Sequence, residues 1–344
     1  MMETKKYKDL MLRIVDRVVD GHDKDWAMDI EHFDWVPGVG LYGIFQVWIE
    51  TNERKYLEFL EKWMAQHLAE AYIQKTVNST APLLTAVHLY EKNGNEEYLK
   101  VCKDIAAFIL TEAPLTLEGG LEHTVTENKD GTGGFREQIW ADTLFMVCIF
   151  MAKLGMVTQE KQYTDFALRQ MEMHHRLLKN SENGLYYHAW NGAEKNHMSA
   201  VCWGRANAWI LYSTAEIMKI TGTAEIYSDL LKTHAQSLKK YQRKNGAFGT
   251  IIDDADSYDE ISATAGIAAG LLGAKQLGVL DSEFDEEIIK ALDAVAVSVD
   301  GNGEVAGVST GTPVMENAQA YKNIAVCPTL YGQGLSALAF SKLR

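Results

Sequence analysis

The residues equipped for chemistry gather around one carboxylate. In Gly133-Gly134-Phe135-Arg136-Glu137-Gln138-Ile139-Trp140-Ala141-Asp142-Thr143-Leu144-Phe145-Met146, Asp142 follows a glycine-rich loop and an indole, and precedes an almost unbroken apolar run. It therefore stands where a loop ends and a buried helix begins. A carboxylate there has two uses. It can cap the helix by accepting backbone N–H bonds at the positive end. Alternatively, it can serve as a general acid whose pKa is raised by apolar and aromatic neighbours.

A second segment, Trp203-Gly204-Arg205-Ala206-Asn207-Ala208-Trp209, puts Arg205 and Trp209 four apart, on one helix face. An arginine inside an apolar helix requires a partner. That partner is either a ligand carboxylate gripped bidentately or an acid of the protein such as Asp142 or Glu260. The stretch 179–202 adds Tyr186, Tyr187, His188 and Trp190 after Gly184, rings that either wall a sugar or pin a long loop. The stretch 113–138 offers Glu122 and His123 among Gly119, Gly120, Gly131, Gly133 and Gly134, which permit close approach.

Other chemistries find no support. Asp253-Asp254-Ala255-Asp256, with Asp259 and Glu260, lacks the glycine and terminal glutamate of an EF-hand loop and reads as a solvated acidic turn. Walker, G-x-S-x-G and H-E-x-x-H patterns are absent. His174-His175 has no acidic third ligand at suitable spacing and reads as surface. Cys102, Cys148, Cys202 and Cys327 are far apart without a C-x-x-C, which argues against a zinc site or disulfide framework. Neither metal nor cofactor is expected.

The elements that must position these residues alternate in character. Leu10, Ile14 and Val18 mark an amphipathic helix, and residues 38–48 an uncharged one rich in small residues. The same succession recurs at 53–73 and 80–93, 96–112 and 139–155, 158–178 and 203–220, 223–241 and 261–277, and 282–298 and 329–342. Strand signals are scarce, apart from a turn at Asp130-Gly131. Six such pairs predict an all-α (α/α)6 barrel, six apolar helices inside and six amphipathic ones outside, in a single domain spanning residues 1–344. The long connections 113–138, 179–202, 242–260 and 299–328 all lead from an outer helix into an inner one, so they crowd one end. Function is expected at that end, where six inner-helix N-termini converge and favour an anion.

The chain of 344 residues is 47% hydrophobic with a net charge of −14, and it has no basic cluster, which excludes nucleic acid and anionic membranes as partners. The start, Met1 to Tyr7, lacks the apolar core of a signal peptide, and no apolar run reaches membrane-spanning length. A soluble cytoplasmic protein, monomeric or weakly dimeric, is expected.

Three segments in order, Gln138 to Met146, Gly184-Leu185-Tyr186-Tyr187-His188-Ala189-Trp190 and Trp203 to Trp209, resemble the unsaturated glycosyl hydrolases. The nearest resemblance is to the unsaturated rhamnogalacturonyl hydrolases (glycoside hydrolase family 105, related to family 88), from Tyr42 to Tyr331-Gly332-Gln333-Gly334. It implies an (α/α)6 barrel acting on the unsaturated uronic acid that polysaccharide lyases leave at a non-reducing end. Asp142 would protonate C4 of the enol ether and activate a water that adds at C5, after which the hemiketal opens and releases the aglycone sugar. This is hydration of a vinyl ether, not displacement between two carboxylates. The resemblance also implies that Tyr42, Trp140, His188, Arg205 and Trp209 contact the sugar. Asn78, His123, Gln138 and Trp203 complete the expected substrate site. Two departures stand out: Asn78 where many relatives carry Asp, and His123-Thr124 where a His-Lys pair is sought. An (α/α)6 epimerase or isomerase using His123 and His188, and a non-catalytic sugar-binding barrel, are the alternatives.

Overall fold

The computed structural model describes residues 2–21, 26, 30–125 and 135–343. His22, Gly131, Gly133, Gly134 and the Asp130-Gly131 turn lie outside the described residues. Twelve helices alternate between the outside and the inside of a ring. They are α1 (Met2–Val19), α2 (Trp35–Thr51), α3 (Arg54–His67), α4 (Pro82–Asn93), α5 (Glu96–Thr111), α6 (Ile149–Thr158), α7 (Lys161–Leu178), α8 (Gly204–Thr221), α9 (Ala224–Tyr241), α10 (Ile261–Gln276), α11 (Asp285–Val297) and α12 (Leu330–Ser341). The even-numbered helices are the inner ones. Each packs on the next, and α12 closes on α2, so the expected (α/α)6 barrel is the observed one.

The alternation follows from burial. The inner helices α8, α10 and α12 are buried over nearly their whole length, whereas α7 and α9 bury one stripe and expose the other. Small residues set the spacing between inner helices: a Cβ on Gly43 would come within 2.4 Å of the Gly334 carbonyl oxygen, so α2 and α12 touch backbone to backbone. The returns from inner to outer helices are tight because left-handed residues end the helices, Asn52 after α2, Gly94 after α4, Gln159 after α6 and Gly222 after α8. The long connections run the other way and collect at the N-terminal end of the inner helices.

Two local expectations are corrected. Residues 139–155 are not one helix: Gln138–Trp140 forms a short strand, β1, and the helix begins with a π-helical turn, Leu144–Cys148, before α6. The backbone of 138–140 finds its partners in β2, Ala189–Asn191, which runs antiparallel to it. His174 and His175 are buried rather than on the surface. His174 bonds the carbonyls of Gln170 and Trp140, and His175 lies 2.5 Å from the Tyr186 hydroxyl and 2.8 Å from Thr214 Oγ1. They fall on the inward stripe of α7, and the loop and inner helix facing them supply their partners.

Among the described residues no helix is long and apolar enough to cross a membrane, and no group of three His, Cys, Asp or Glu side chains could hold a metal ion. None of the four cysteines is joined in a disulfide. The acidic run around 253–259 is tied to the protein: Asp254 pairs with Lys322 and Asp259 with Arg243, both at 2.5 Å, and Asp253 accepts from Asn183.

Candidate active site

The β pair places the two central side chains. Trp140 is in register with Ala189, and the Ala141 N–H donates to the His188 carbonyl at 3.0 Å. Asp142, just beyond β1, therefore meets His188, just before β2. His188 Nε2 lies 3.5 Å from Asp142 Oδ2, and neither atom has a hydrogen-bond partner of good geometry. The carbonyl of Asp142 starts the π turn, accepting from the Phe145 and Met146 N–H groups at 3.0 and 2.9 Å. Its carboxylate is not the cap: no backbone N–H of the described residues donates to it.

The expected rise in the Asp142 pKa is not what the surroundings produce. Burial alone pushes the carboxyl up, but the facing His188 ring, with His123 and Arg205 nearby, outweighs it and holds it below the usual range. Burial also lowers His188, against the pull of Asp142. At neutral pH Asp142 is therefore ionised and His188 neutral.

Above the carboxylate a cavity of about 210 Å³ opens, lined by Trp35, Asn78, His123, Phe135, Trp140, Asp142, Trp203, Arg205 and the Gly311-Thr312-Pro313 turn. The Trp140 indole lies flat on His123, with ring centres 4.0 Å apart and planes 4° apart, and meets His188 edge-on. Gln138 sits outside this wall and steers it: its Oε1 accepts from Trp140 Nε1 at 2.9 Å. Burial holds His123 at about 4, hence neutral at pH 7, with Nδ1 unpartnered. The Trp203 indole N–H is also buried without a partner. Thr124, where a lysine was sought, ties the loop to the turn ahead of α4: its Oγ1 accepts from the Val77 N–H at 2.8 Å and its carbonyl from the Asn78 N–H at 3.3 Å.

Arg205 lines the cavity but spends its donors on the protein. Its guanidinium bonds Ser262, Ser309, Thr310 and Thr312, lies 3.5 Å from Glu260, and is sandwiched between the Trp203 and Tyr331 rings. Of its two expected partners, the protein's own acid is present. Glu260 is itself the N-cap of α10, accepting from the Ala263 N–H.

Tyr42 and Trp209, expected at the sugar, do not line this cavity. Both are fully buried away from the cavity: Tyr42 hydrogen-bonds Tyr212 at 3.3 Å, and Trp209 packs on Phe145 at 4.7 Å. Each lies a turn or more inside its helix, and the aromatic side chains around Phe145 cover it. Trp35, Phe135, Thr312 and Pro313 were missed as wall residues, and Tyr321 as a partner of His188, whose Nδ1 lies 2.7 Å from its hydroxyl. The one signal for Tyr321 was the capping pattern of Asn317 ahead of it, in an otherwise polar loop. A larger cleft of about 720 Å³ opens at the C-terminal ends of α8 and α10, between Lys219, Leu272 and Lys342, and holds no comparable set of unpaired groups.

Residues 10–343 match the model of Glycosyl Hydrolase Family 88. The unsaturated rhamnogalacturonyl hydrolase YesR of Bacillus subtilis is 33% identical over 332 residues, 95% of this chain and 92% of its own. A possible family 105 member from Salmonella enterica superposes with a TM-score of 0.90 at 26% identity, over 98% of this chain and 93% of its own. An unsaturated glucuronyl hydrolase from Bacillus sp. GL1 shares the fold, with a TM-score of 0.75 at 17% identity over 98% and 96%. With a carboxylate that no backbone N–H caps at the floor of a ring-sized cavity and the family model spanning almost all of the barrel, the chain belongs to glycosyl hydrolase family 88 and is a glycoside hydrolase.

Proposed function

We propose that the protein hydrates the C4=C5 double bond of an unsaturated uronic acid at the non-reducing end of an oligosaccharide, with Asp142 as proton donor. Protonated Asp142 gives its proton to C4, and the positive charge that develops at C5 is shared with the ring oxygen. The Asp142 carboxylate then takes a proton from the water that adds at C5. The resulting hemiketal opens and the aglycone leaves, so the carboxyl ends as it began.

The observation that carries this reading is the state of Asp142. Among the described residues its carboxylate is the one acid on the cavity wall, no backbone N–H bonds it, and the His188 ring faces it at 3.5 Å. Its lowered pKa fits an anionic substrate: a uronate entering the cavity brings a negative charge that raises Asp142 toward the protonated form. Arg205, although saturated, supports that entry through its field, together with the inner-helix N-termini. The aromatic walls of Trp140 and Trp203 suit the faces of a sugar ring. We assign substrate contact to Asn78, His123, Trp140, His188 and Trp203, and steering of Trp140 to Gln138.

Elimination by a lyase makes C4 and C5 trigonal, so galacto- and gluco-configured uronates leave the same unsaturated ring. Substrate choice therefore falls to the next sugar. The similarity to YesR supports rhamnose there, that is, unsaturated galacturonyl-rhamnose from pectin breakdown. The same reading takes residues 1–344 as one catalytic barrel, acting in the cytoplasm as a monomer or weak homodimer without metal or cofactor. The test is a panel of unsaturated disaccharides from pectin, ulvan and glycosaminoglycan lyases, followed by ultraviolet absorbance. Loss of the double-bond chromophore, fastest with the rhamnosyl substrate, is expected. Unchanged absorbance across the panel sinks the proposal and leaves an isomerase or a sugar-binding barrel.

A further inference from the structure

Behind the cavity wall, His188 is held on both sides. Its backbone N–H donates to Val201 and its carbonyl accepts from Ala141, which fixes the backbone that carries the ring. One ring nitrogen faces Asp142 Oδ2 at 3.5 Å and the other meets the Tyr321 hydroxyl at 2.7 Å. Tyr321 is fully buried on the short helix Ala318–Lys322, which Asn317 caps and the Lys322–Asp254 ion pair anchors. A hydroxyl, unlike an N–H or a carbonyl, can either give or take a hydrogen bond. The Ser199 side chain lies beside Tyr321, and its Oγ is buried without another well-aligned partner.

We propose that Tyr321, His188 and Asp142 form a relay in which His188 exchanges ring tautomers as Asp142 gains or loses its proton, making Tyr321 a positioning residue for the acid. With Asp142 ionised, the Tyr321 O–H donates to Nδ1 and the Nε2–H points at Oδ2. With Asp142 protonated, its O–H donates to Nε2, the ring proton resides on Nδ1 and donates to Tyr321, and the Tyr321 O–H turns to Ser199 Oγ. The second state holds one more proton than the first, and that proton is on the carboxyl. The imidazole is neutral in both. Both states thus pair the His188 ring N–H and the Tyr321 O–H, and Asp142 can become an acid without creating a buried imidazolium. The gap of 3.5 Å shortens when substrate seals the cavity, as catalytic hydrogen bonds commonly do.

The other charged or titratable groups around the pair are His123, His174 and Arg205. Burial keeps both histidines neutral down to about 4, so neither alternates with Asp142 near neutral pH.

The relay rests on the hydrolase reading for its purpose, but its first test needs no substrate. Ring nitrogen-15 NMR of His188 at neutral pH is expected to show the Nε2–H tautomer in the wild type and the Nδ1–H tautomer in Asp142→Asn, whose amide N–H mimics the protonated acid. The second test is Tyr321→Phe, which keeps the ring and removes the acceptor that the Nδ1–H tautomer needs. Here kcat should fall roughly tenfold, a fraction of a full general-acid contribution, with KM within about twofold. The high-pH limb of its profile should move to lower pH. The same tautomer in wild type and Asp142→Asn, an imidazolium signal, or a Tyr321→Phe profile identical to wild type overturns the relay. A protein that passes the NMR test yet leaves every unsaturated disaccharide untouched overturns the hydrolase reading instead.

Discussion

Two acid–base pairs stand at the same mouth of the barrel with the same separation, 3.5 Å, and opposite character. Arg205–Glu260 is surrounded by hydroxyls and backbone groups: Glu260 accepts from Ser262, Ala263 and Ser309, and Arg205 is bonded on both terminal nitrogens. Asp142–His188 is left open on the facing atoms, and it opens into the cavity. An unpaired buried polar atom costs about 1–3 kcal/mol, so a fold keeps one where another molecule is to complete it. The first pair is scaffold and the second is machinery.

Breaking each pair sharpens the contrast. Asp142→Asn should remove about 10²–10⁴-fold in kcat while leaving substrate affinity and Tm nearly as in wild type. A large drop in Tm with retained turnover would make Asp142 a structural residue. Arg205→Ala should do the reverse in kind: it strands the Glu260 carboxylate, costing about 3–5 kcal/mol, and lowers the urea midpoint markedly. An Arg205→Ala protein as stable as wild type, with KM raised, would restore a direct grip on the substrate carboxylate.

pH tests the closed histidines against the open site. His123 and His174 are depressed to about 4 and His175 to about 3 by burial, against 6.5 when unfolded. The unfolded chain therefore binds protons that the folded one refuses, and stability falls as pH drops from about 6.5 toward 4. Asp142, depressed in the fold, adds a further loss as pH falls through its lowered value. A Tm that is flat between pH 7 and 4 would contradict this burial. The smallest effect belongs to Tyr42→Phe. It removes one buried hydroxyl bonded to Tyr212, costs about 1 kcal/mol, and should leave kcat/KM unchanged. A tenfold loss of kcat/KM would return Tyr42 to the site.

Much of the architecture was legible because it is written in charge. The alternation of charged and uncharged helices has no other economical solution than nested rings, and the direction of the long connections named the working end. The short strands were not legible, since three residues carry no periodicity and their pairing depends on a segment fifty residues away. Depth was invisible as well. Tyr42 and Trp209 follow the family pattern, yet whether a side chain reaches the cavity depends on which rings lie above it, here Phe145 and Tyr212. His174 and His175 looked exposed because a helix with charge on one face hides what its other face meets. Tyr321 lies in a connection without pattern, and only the closed fold brings it to His188.

The seam at which Gly43 meets Gly334 bears on biosynthesis. The flank of α2 that awaits α12 leaves the ribosome early, while its mate is translated last among the twelve helices. Until Leu330–Ser341 emerges, the nascent chain is an open arc with an apolar edge, a natural client for a holding chaperone. A translational stop upstream of Leu330 thus yields an aggregation-prone crescent instead of a shortened enzyme.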